Sequence, residues 1–425
     1  MTLPLQVLVL WPRAPYLSFV LIPPPPPMPA SPQPLRATRF HTIEGLGAIS
    51  AADWDGIAGA DNPFLSHGFL SALEESGSAA PRSGWLPRHL IAESADGQLV
   101  GAVPLYVKGN SWGEYVFDHS WADAFERAGG AYYPKLQSAI PFTPVPGPRL
   151  LTHPQAAPEM RQALAVALVD ITRRLGVSSV HATFVTDEDR PAFAAAGFAE
   201  RLGFQFHWHN RGYNDFEGFL ADLSSRKRKA IRKERQSVAD SGLILKTLVG
   251  DEITAAHWDA FHRFYLATID RKWGSAYLTR KFFDLMAARL GDKVVLVVAE
   301  DRGKPVAAAL NLLGSNTLYG RNWGASVDVP FLHFELCYYR ALDFAIERGL
   351  TRVEAGAQGE HKLQRGYLPR PTYSMHWIAN EGFRAAVDDF LAHERPHIAG
   401  IITEMAAEGP FRQQQDTRRD DRPVP

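Results

Sequence analysis

The chain has almost no cysteine: one residue, Cys337, among 425. That excludes an intrachain disulfide framework and any cysteine-rich zinc site. It also fits a reducing compartment, so a cytoplasmic location is expected. Cys337 stands among Phe334, Ala341 and Phe344 at helical spacing and reads as a buried core thiol. Net charge is lacking too, since 45 Lys and Arg meet 46 Asp and Glu. No global field points to nucleic acid or a membrane, and electrostatic function has to come from local clusters. No segment reaches the ~20 apolar residues of a membrane span, so no transmembrane segment is expected. No GxxxxGKS/T phosphate loop is present, and no GxSxG elbow stands in a convincing context, which disfavours serine-type hydrolysis. Metal chemistry is not expected either. His257 and His262 lie five apart, off one helix face, and His207 and His209 alternate along a strand without a partner motif.

What is present suits a large globular protein: 46% apolar and 21% charged residues. The length exceeds one ordinary core, so two domains are expected. Residues 1–35 differ from the rest, with an apolar run that ends in Pro23 to Pro27. That run begins without Lys or Arg and is broken by Pro12, Arg13 and Pro15, which disfavours a signal peptide. A disordered leader is the expectation, with Met28 as an alternative start.

The remainder reads as a diverged duplication. Arg88 to Val107 gives HLIAES, the turn ADGQ and LVGAVPLYV; Lys293 to Leu313 gives VVLVVAE, the turn DRGKP and VAAALNLL. Both are hairpin patterns. A helix near Ala163–Leu175 follows in the first half, with Leu164, Leu168, Ile171 and Leu175 as its stripe and Gly176 as its cap. A helix near Phe331–Arg348 follows in the second, with Gly349 after it. Each leads at once into a short strand, from Ser178 and from Thr351. Each half closes on a strand with a His-Trp pair, His207-Trp208 and His376-Trp377. The first half carries an insertion, roughly Gly109 to Pro148, rich in aromatics, Gly and Pro; Trp112, Trp121, Tyr132 and Tyr133 there either pack or cover a cleft.

Between the halves, Arg226, Lys227, Arg228, Lys229, Arg232, Lys233 and Arg235 put seven cations on a helix whose apolar stripe is Leu223, Ile231 and Val238, with Ser224 or Ser225 at its cap. The natural counterpart is anionic: a phosphate, a pyrophosphate or an RNA backbone. The competing reading is a solvated face neutralised by acids elsewhere in the fold. Arg321-Asn322-Trp323-Gly324-Ala325, between strand and helix, either presents N–H groups and a guanidinium to an anion or is a structural turn. The densest polar stretch follows the second helix, from Glu354 through Gln358, Glu360, His361, Lys362 and Gln364 to Arg365. Acyl transfer to an amine needs a base and donors for the oxyanion. Glu354, Glu360 and His361 offer bases, and Gln358, Lys362 and Arg365 offer donors; a salt-bridged loop joining the halves is the alternative. Glu335, on an otherwise apolar helix, is either paired, with Arg321 as a partner, or shifted in pKa at a site.

The stretches FHWHNRGYNDFEGFLADLSSRKRKAIRKERQSV, GRNWG, LHFELCYY, EAGAQGEHKLQRGYLP and FDHSWADAFERAGGAYYPKLQSAIPFTPVPGPRLL resemble the bacterial FemAB-like family of N-acyltransferases over roughly residues 37–395. The resemblance implies an α/β (α+β) fold of two tandem GNAT-like domains, each a mixed twisted sheet with flanking helices. On that frame residues 1–35 are a leader, 36–215 the first GNAT-like domain, 216–245 the basic linker helix, 246–395 the second domain and 396–425 a helix end and disordered tail. The family is similar to the FemABX aminoacyl transferases, which use aminoacyl-tRNA and a lipid-linked peptidoglycan precursor. The expected activity is therefore an N-acyltransferase of peptidoglycan or cell-envelope precursor metabolism, with no tightly bound cofactor and acyl-CoA or aminoacyl-tRNA as donor. Glu354, Glu360 and His361 are its expected catalytic residues. Arg321, Trp323, Glu335, Gln358, Lys362 and Arg365 are expected to bind substrate. Arg226, Lys229, Arg232 and Lys233 are expected to contact tRNA or a lipid pyrophosphate. A CoA-dependent GNAT N-acetyltransferase and a non-catalytic scaffold that binds RNA or anionic lipid are the alternatives.

Overall fold

The two strands that end in His-Trp pairs lie side by side at the centre of the computed structural model, which describes residues 34–271, 276–356 and 359–412. Ala199–His209 and Leu368–Ile378 run antiparallel, with Gly203 opposite Thr372 and Arg201 opposite Ser374. Strand alternation sends Phe206 and Trp208 into an apolar cluster with Phe219, Tyr339 and Tyr367, while Gln205 and His207 turn to the opposite face.

The outer edges of this pair reveal an exchange. Leu368–Ile378, late in the chain, pairs with Ser179–Val185 from the first half. Ala199–His209, from the first half, pairs with Arg352–Glu354 from the second. Each outer strand in turn has a parallel neighbour, Lys135–Ser138 in the first half and Thr317–Ala325 in the second. The two halves thus repeat one arrangement, a parallel pair closed by the other half's final strand, within an eleven-stranded sheet. The matched motifs occupy matched places: His207 faces Glu354 and His376 faces His181. This is the mixed α/β architecture expected from the resemblance, with its two halves interleaved.

Local chemistry explains the departures from the sequence reading. LVGAVPLYV is two strands, not one: Pro104 cannot donate to a ladder. Leu99–Val103 joins a separate four-stranded sheet, and Leu105–Lys108 joins the large one. The hairpin Val294–Asp301 to Lys304–Leu313 forms as expected. The stretch read as an insertion contains Lys135–Ser138, a core strand of the large sheet; Pro, Gly and aromatics on either side mask so short a run. Its aromatics mostly pack: Trp121 and Tyr132 are buried, while Trp112 is 72% exposed.

The first helix is Met160–Leu175, capped by Gly176 at φ 65. Leu164 and Leu168 are buried, but Leu175 is exposed, because the helix end rises away from the sheet. The second helix is not uniform. It runs α over Leu332–Phe334, π over Glu335–Tyr339 and α over Arg340–Glu347. Such wide turns recur at functional sites, and this one carries Glu335 and Cys337. The basic helix is Ser225–Ala239, docked through Ile231 and Val238; Ser224 holds the cap position without a side-chain cap bond. The last helix runs through Pro396 from Glu381 to Ala407. Of the expected leader 1–35, residues 1–33 lie outside the described residues and Leu35 bridges Ala156; of the expected helix end and tail 396–425, residues 413–425 lie outside them. Among the described residues no helix is long and apolar enough to cross a membrane.

Candidate active site

The parallel pair of the second half is joined only where Thr317–Tyr319 meet Arg352–Glu354. Beyond that point Thr317–Ala325 continues along its antiparallel neighbour, and the chain after Glu354 turns away into a loop. Glu354 therefore sits where two parallel strands part. It is 3% exposed, and neither carboxylate oxygen receives a hydrogen bond. Arg352 Nε lies 3.1 Å from Oε1, yet it donates to Thr317 Oγ1 at 3.2 Å, so the contact with Glu354 is one of charge alone. His207 Nε2 lies 3.9 Å from Oε2. Burial pushes the Glu354 carboxyl up to about 7, with Arg352 pulling the other way. Burial, then the cations around it, holds His207 well below the usual imidazole range, hence neutral.

The polar loop folds back onto Gly356, two residues after Glu354. Lys362 is buried, donates to Gly356 O at 2.9 Å, and is pushed down to about 8 by burial. His361 bonds the Tyr338 hydroxyl through Nε2 at 2.8 Å among the rings of His333, Phe334 and Tyr338. Desolvation, then Lys362 and Arg365, lowers its pKa. Its neighbour Gly359 has φ 115, and a Cβ there would come 2.5 Å from the His361 ring. Only glycine allows this return of the chain. Gln358 lies outside the described residues, as does the side chain of Glu360.

Four expected substrate-binding side chains are engaged elsewhere. Arg365 donates to Glu234 Oε1 at 2.8 Å, to the Tyr339 hydroxyl at 3.0 Å and to His361 O at 2.8 Å, and it covers the Phe334 ring. It fastens the loop to the basic helix. Arg321 does not pair with Glu335. It donates to Phe142 O at 2.5 Å and Thr143 Oγ1 at 3.2 Å, because its strand points it at the first half. Glu335 is held instead by Arg235 at 3.0 Å, with Arg340 at 3.3 Å; burial raises its pKa against these cations. Trp323 packs on His333, ring centres 4.9 Å apart.

On the basic helix, Arg235 also binds Asp343 at 2.6 Å, and Arg232 pairs with Glu217. These two cations are thus tied to acids outside the helix, as the reading of a neutralised face expects. Arg226, Lys229 and Lys233 are exposed and stand at i, i+3 and i+7, one stripe of the helix. Among the described residues no cluster of three metal-type side chains occurs.

Sequence reasoning missed a second buried constellation. Lys135 Nζ binds Glu114 at 2.8 Å, Ser111 at 2.9 Å and Asp118, all within the first half and almost fully buried. Tyr132 donates to Asp118 at 2.6 Å, and His181 meets His376 through Nδ1 at 2.8 Å. The available signal was Lys108 at the end of the strand LYVK and Lys135 at the start of KLQS, with Glu114 and Asp118 among the four acids between them.

The match that decides the family covers residues 45–413: FemAB-like, described as peptidoglycan biosynthesis/recognition. The chain belongs to the FemAB-like family. No curated protein matches this FemAB-like chain in sequence. Among solved structures it is similar to FemX, at 12% identity, covering 80% of this chain and 98% of that one with a TM-score of 0.48. It is also similar to L-PGS from Bacillus licheniformis, at 11% identity, 76% and 94% coverage and a TM-score of 0.46. A tandem GNAT protein from the clavulanic acid biosynthesis pathway aligns at 13% identity, 80% and 98% coverage and a TM-score of 0.44.

Proposed function

We propose that this FemAB-like protein is an N-acyltransferase that passes an acyl or aminoacyl group directly to an amine. The carrying observation is Glu354, a buried carboxylate without hydrogen bonds at the parting of two parallel strands, with a pKa pushed to about 7. A group with that pKa can take the proton of an attacking ammonium near neutral pH. The freed nitrogen then bonds to the carbonyl carbon and the carbonyl oxygen gains the charge; as the carbonyl re-forms, the bond to the leaving oxygen or sulfur breaks and the proton shed by the nitrogen passes to that leaving atom. Lys362, two residues along the loop from Glu360, is proposed as the donor that steadies the charge on the carbonyl oxygen. His207 stays neutral and backs Glu354 from the neighbouring strand. Glu360, His361 and Gln358 remain proposed partners on the same loop.

We read the donor as acyl-CoA or aminoacyl-tRNA and the setting as peptidoglycan or envelope-precursor metabolism, which the family description supports. The halves are read as 36–215 and 246–395, joined through 216–245. The stripe Arg226, Lys229 and Lys233 would meet the phosphates of tRNA or of a lipid pyrophosphate. The test is transfer from acetyl-CoA and from aminoacyl-tRNA to amine-bearing peptidoglycan precursors, wild type against Glu354→Gln. Transfer undiminished in a folded Glu354→Gln protein sinks the reading.

A CoA-dependent acetyltransferase is the second reading; the stretch Arg321–Ala325, expected as the turn that cradles its pyrophosphate, is instead part of the strand Thr317–Ala325. Thermal-shift titration separates the two: the true donor raises Tm with concentration, and the other does not. If neither donor shifts Tm while RNA or anionic vesicles bind the stripe in a salt-dependent way, the chain is a scaffold rather than an enzyme.

A further inference from the structure

Over the crossing of the two central strands lies a cavity of about 250 Å³. We propose that it is a binding site for a flat, uncharged aromatic molecule with a single hydrogen-bonding edge. Its floor is one face of the strand pair: Gly203, Gln205, Thr372 and Ser374. A Cβ on Gly203 would come 3.1 Å from Thr372 Oγ1, so the glycine leaves that hydroxyl uncovered. The walls are the rings of Tyr115, Phe117 and Phe184, with Ile398 beside them; Phe204 and Tyr373 also border the cavity, but strand alternation turns their rings to the opposite face.

Two of those wall residues hold left-handed backbone, Tyr115 at φ 60 and Phe184 at φ 57. That conformation is uncommon for bulky side chains and persists only where the surroundings enforce it. Phe184 lies at a register break, since Thr183 pairs with Ser374 and Val185 with Tyr373. A bulge of this kind re-aims a side chain. The roof, Tyr115 to Phe117, is pinned at both ends, because Glu114 and Asp118 share the buried ammonium of Lys135.

The lining selects the ligand. Arg201 and Glu394 neutralise each other through two bonds, at 2.8 and 2.7 Å, so a charged ligand would be buried without a counter-charge. Gln205 spends its amide on Pro144 O at 2.9 Å and its carbonyl on His207 at 3.3 Å. Ser374 is taken by His376 at 2.8 Å. Among the described residues that leaves the Thr372 hydroxyl as the floor's unengaged side-chain group. A sugar brings several hydroxyls and would leave most of them without partners. A ring with one amide or hydroxyl edge stacks on the walls and bonds Thr372. This site is separate from Glu354, and it stands whether or not the transfer reading holds.

The test uses the full chain and benzamide as probe, followed by saturation-transfer NMR and calorimetry. Saturable binding is expected. Thr372→Val, which keeps the shape and removes the hydroxyl, should weaken it about ten-fold, and Gly203→Val should abolish it by filling the floor. Methyl glucoside and inorganic pyrophosphate should not displace the probe. The proposal falls if benzamide shows no saturable binding, if folded Thr372→Val binds it as wild type does, or if methyl glucoside displaces it. Should Gly203→Val not fold, Thr372→Val decides alone.

Discussion

His207 and Glu354 face each other across two antiparallel strands that come from different halves of the chain, Nε2 to Oε2 at 3.9 Å. The matching position in the first half holds His181 opposite His376. There burial and then Lys135 push His181 down to about 3, too weak a base to take a proton from an ammonium. The same fold thus carries a usable carboxylate on one side and a neutral imidazole pair on the other. That asymmetry is why the second half is read as the chemical site.

Glu354→Gln should lower kcat by two orders of magnitude or more, as loss of a general base does. In wild type the transfer rate should rise with pH through about 7, where Glu354 loses its proton, and this rise should be absent from the residual rate of the variant. The stability effect runs the other way. The folded pKa is raised above the ordinary 4.5, so the contribution is full below that value and is lost as pH rises through about 7. Urea midpoints between pH 4 and 8 should fall less steeply for Glu354→Gln than for wild type.

Much of this was legible in the sequence. The repeat of hairpin, helix and closing strand was visible because His-Trp pairs and Gly caps recur in order. The basic helix was visible from its cations and from Ile231 and Val238. Glu354 stood out as one carboxylate of the polar stretch that follows the second helix. Partners were not legible, because they are set by which strand lies next to which. The exchange of closing strands brings His207 beside Glu354 and His181 beside His376 across gaps of well over a hundred residues. No local pattern encodes that. For the same reason Arg321, read in a possible turn but lying in the strand Thr317–Ala325, was read as a partner of Glu335, while Arg235 is the one that reaches it.

Arg235→Ala should destabilise the fold by about 3–5 kcal/mol, because it leaves Glu335 buried without its main counter-charge. Arg232→Ala, which breaks an exposed pair with Glu217, should change stability by no more than about 0.5 kcal/mol. Chemical denaturation of both variants checks the contrast. Equal effects would mean that the helix is held by its apolar stripe alone.

The triple variant Arg226→Ala/Lys229→Ala/Lys233→Ala should fold as wild type does, since among the described residues these side chains take part in no internal ion pair. If RNA phosphates are the partner, its binding should show a log K against log salt slope smaller by about 2, at roughly 0.7 for each single-strand phosphate no longer neutralised. Filter binding across a salt series reads this directly, and an unchanged slope assigns the stripe to solvent.

Lys135→Met should be among the most damaging single changes outside the transfer site. The ammonium is fully buried between Glu114 and Asp118, and deleting it strands both acids at a cost of about 3–5 kcal/mol. Lys135 holds the pKa of Asp118 below the ordinary 3.8 against burial. In wild type that stability is present above the ordinary value and is lost as pH falls through the folded one. Burial already raises Glu114 to about 7 in wild type against the pull of Lys135, so wild type gains some stability from pH 8 to pH 5; without the lysine burial raises both acids further, and the variant should gain more over the same range. Adding Glu114→Gln and Asp118→Asn to Lys135→Met should recover most of the loss, because neutral amides no longer need the ammonium. Urea denaturation at pH 5 and pH 8 separates the cases. A triple variant no more stable than Lys135→Met would show that the lysine acts by packing under the Tyr115–Phe117 roof rather than by charge.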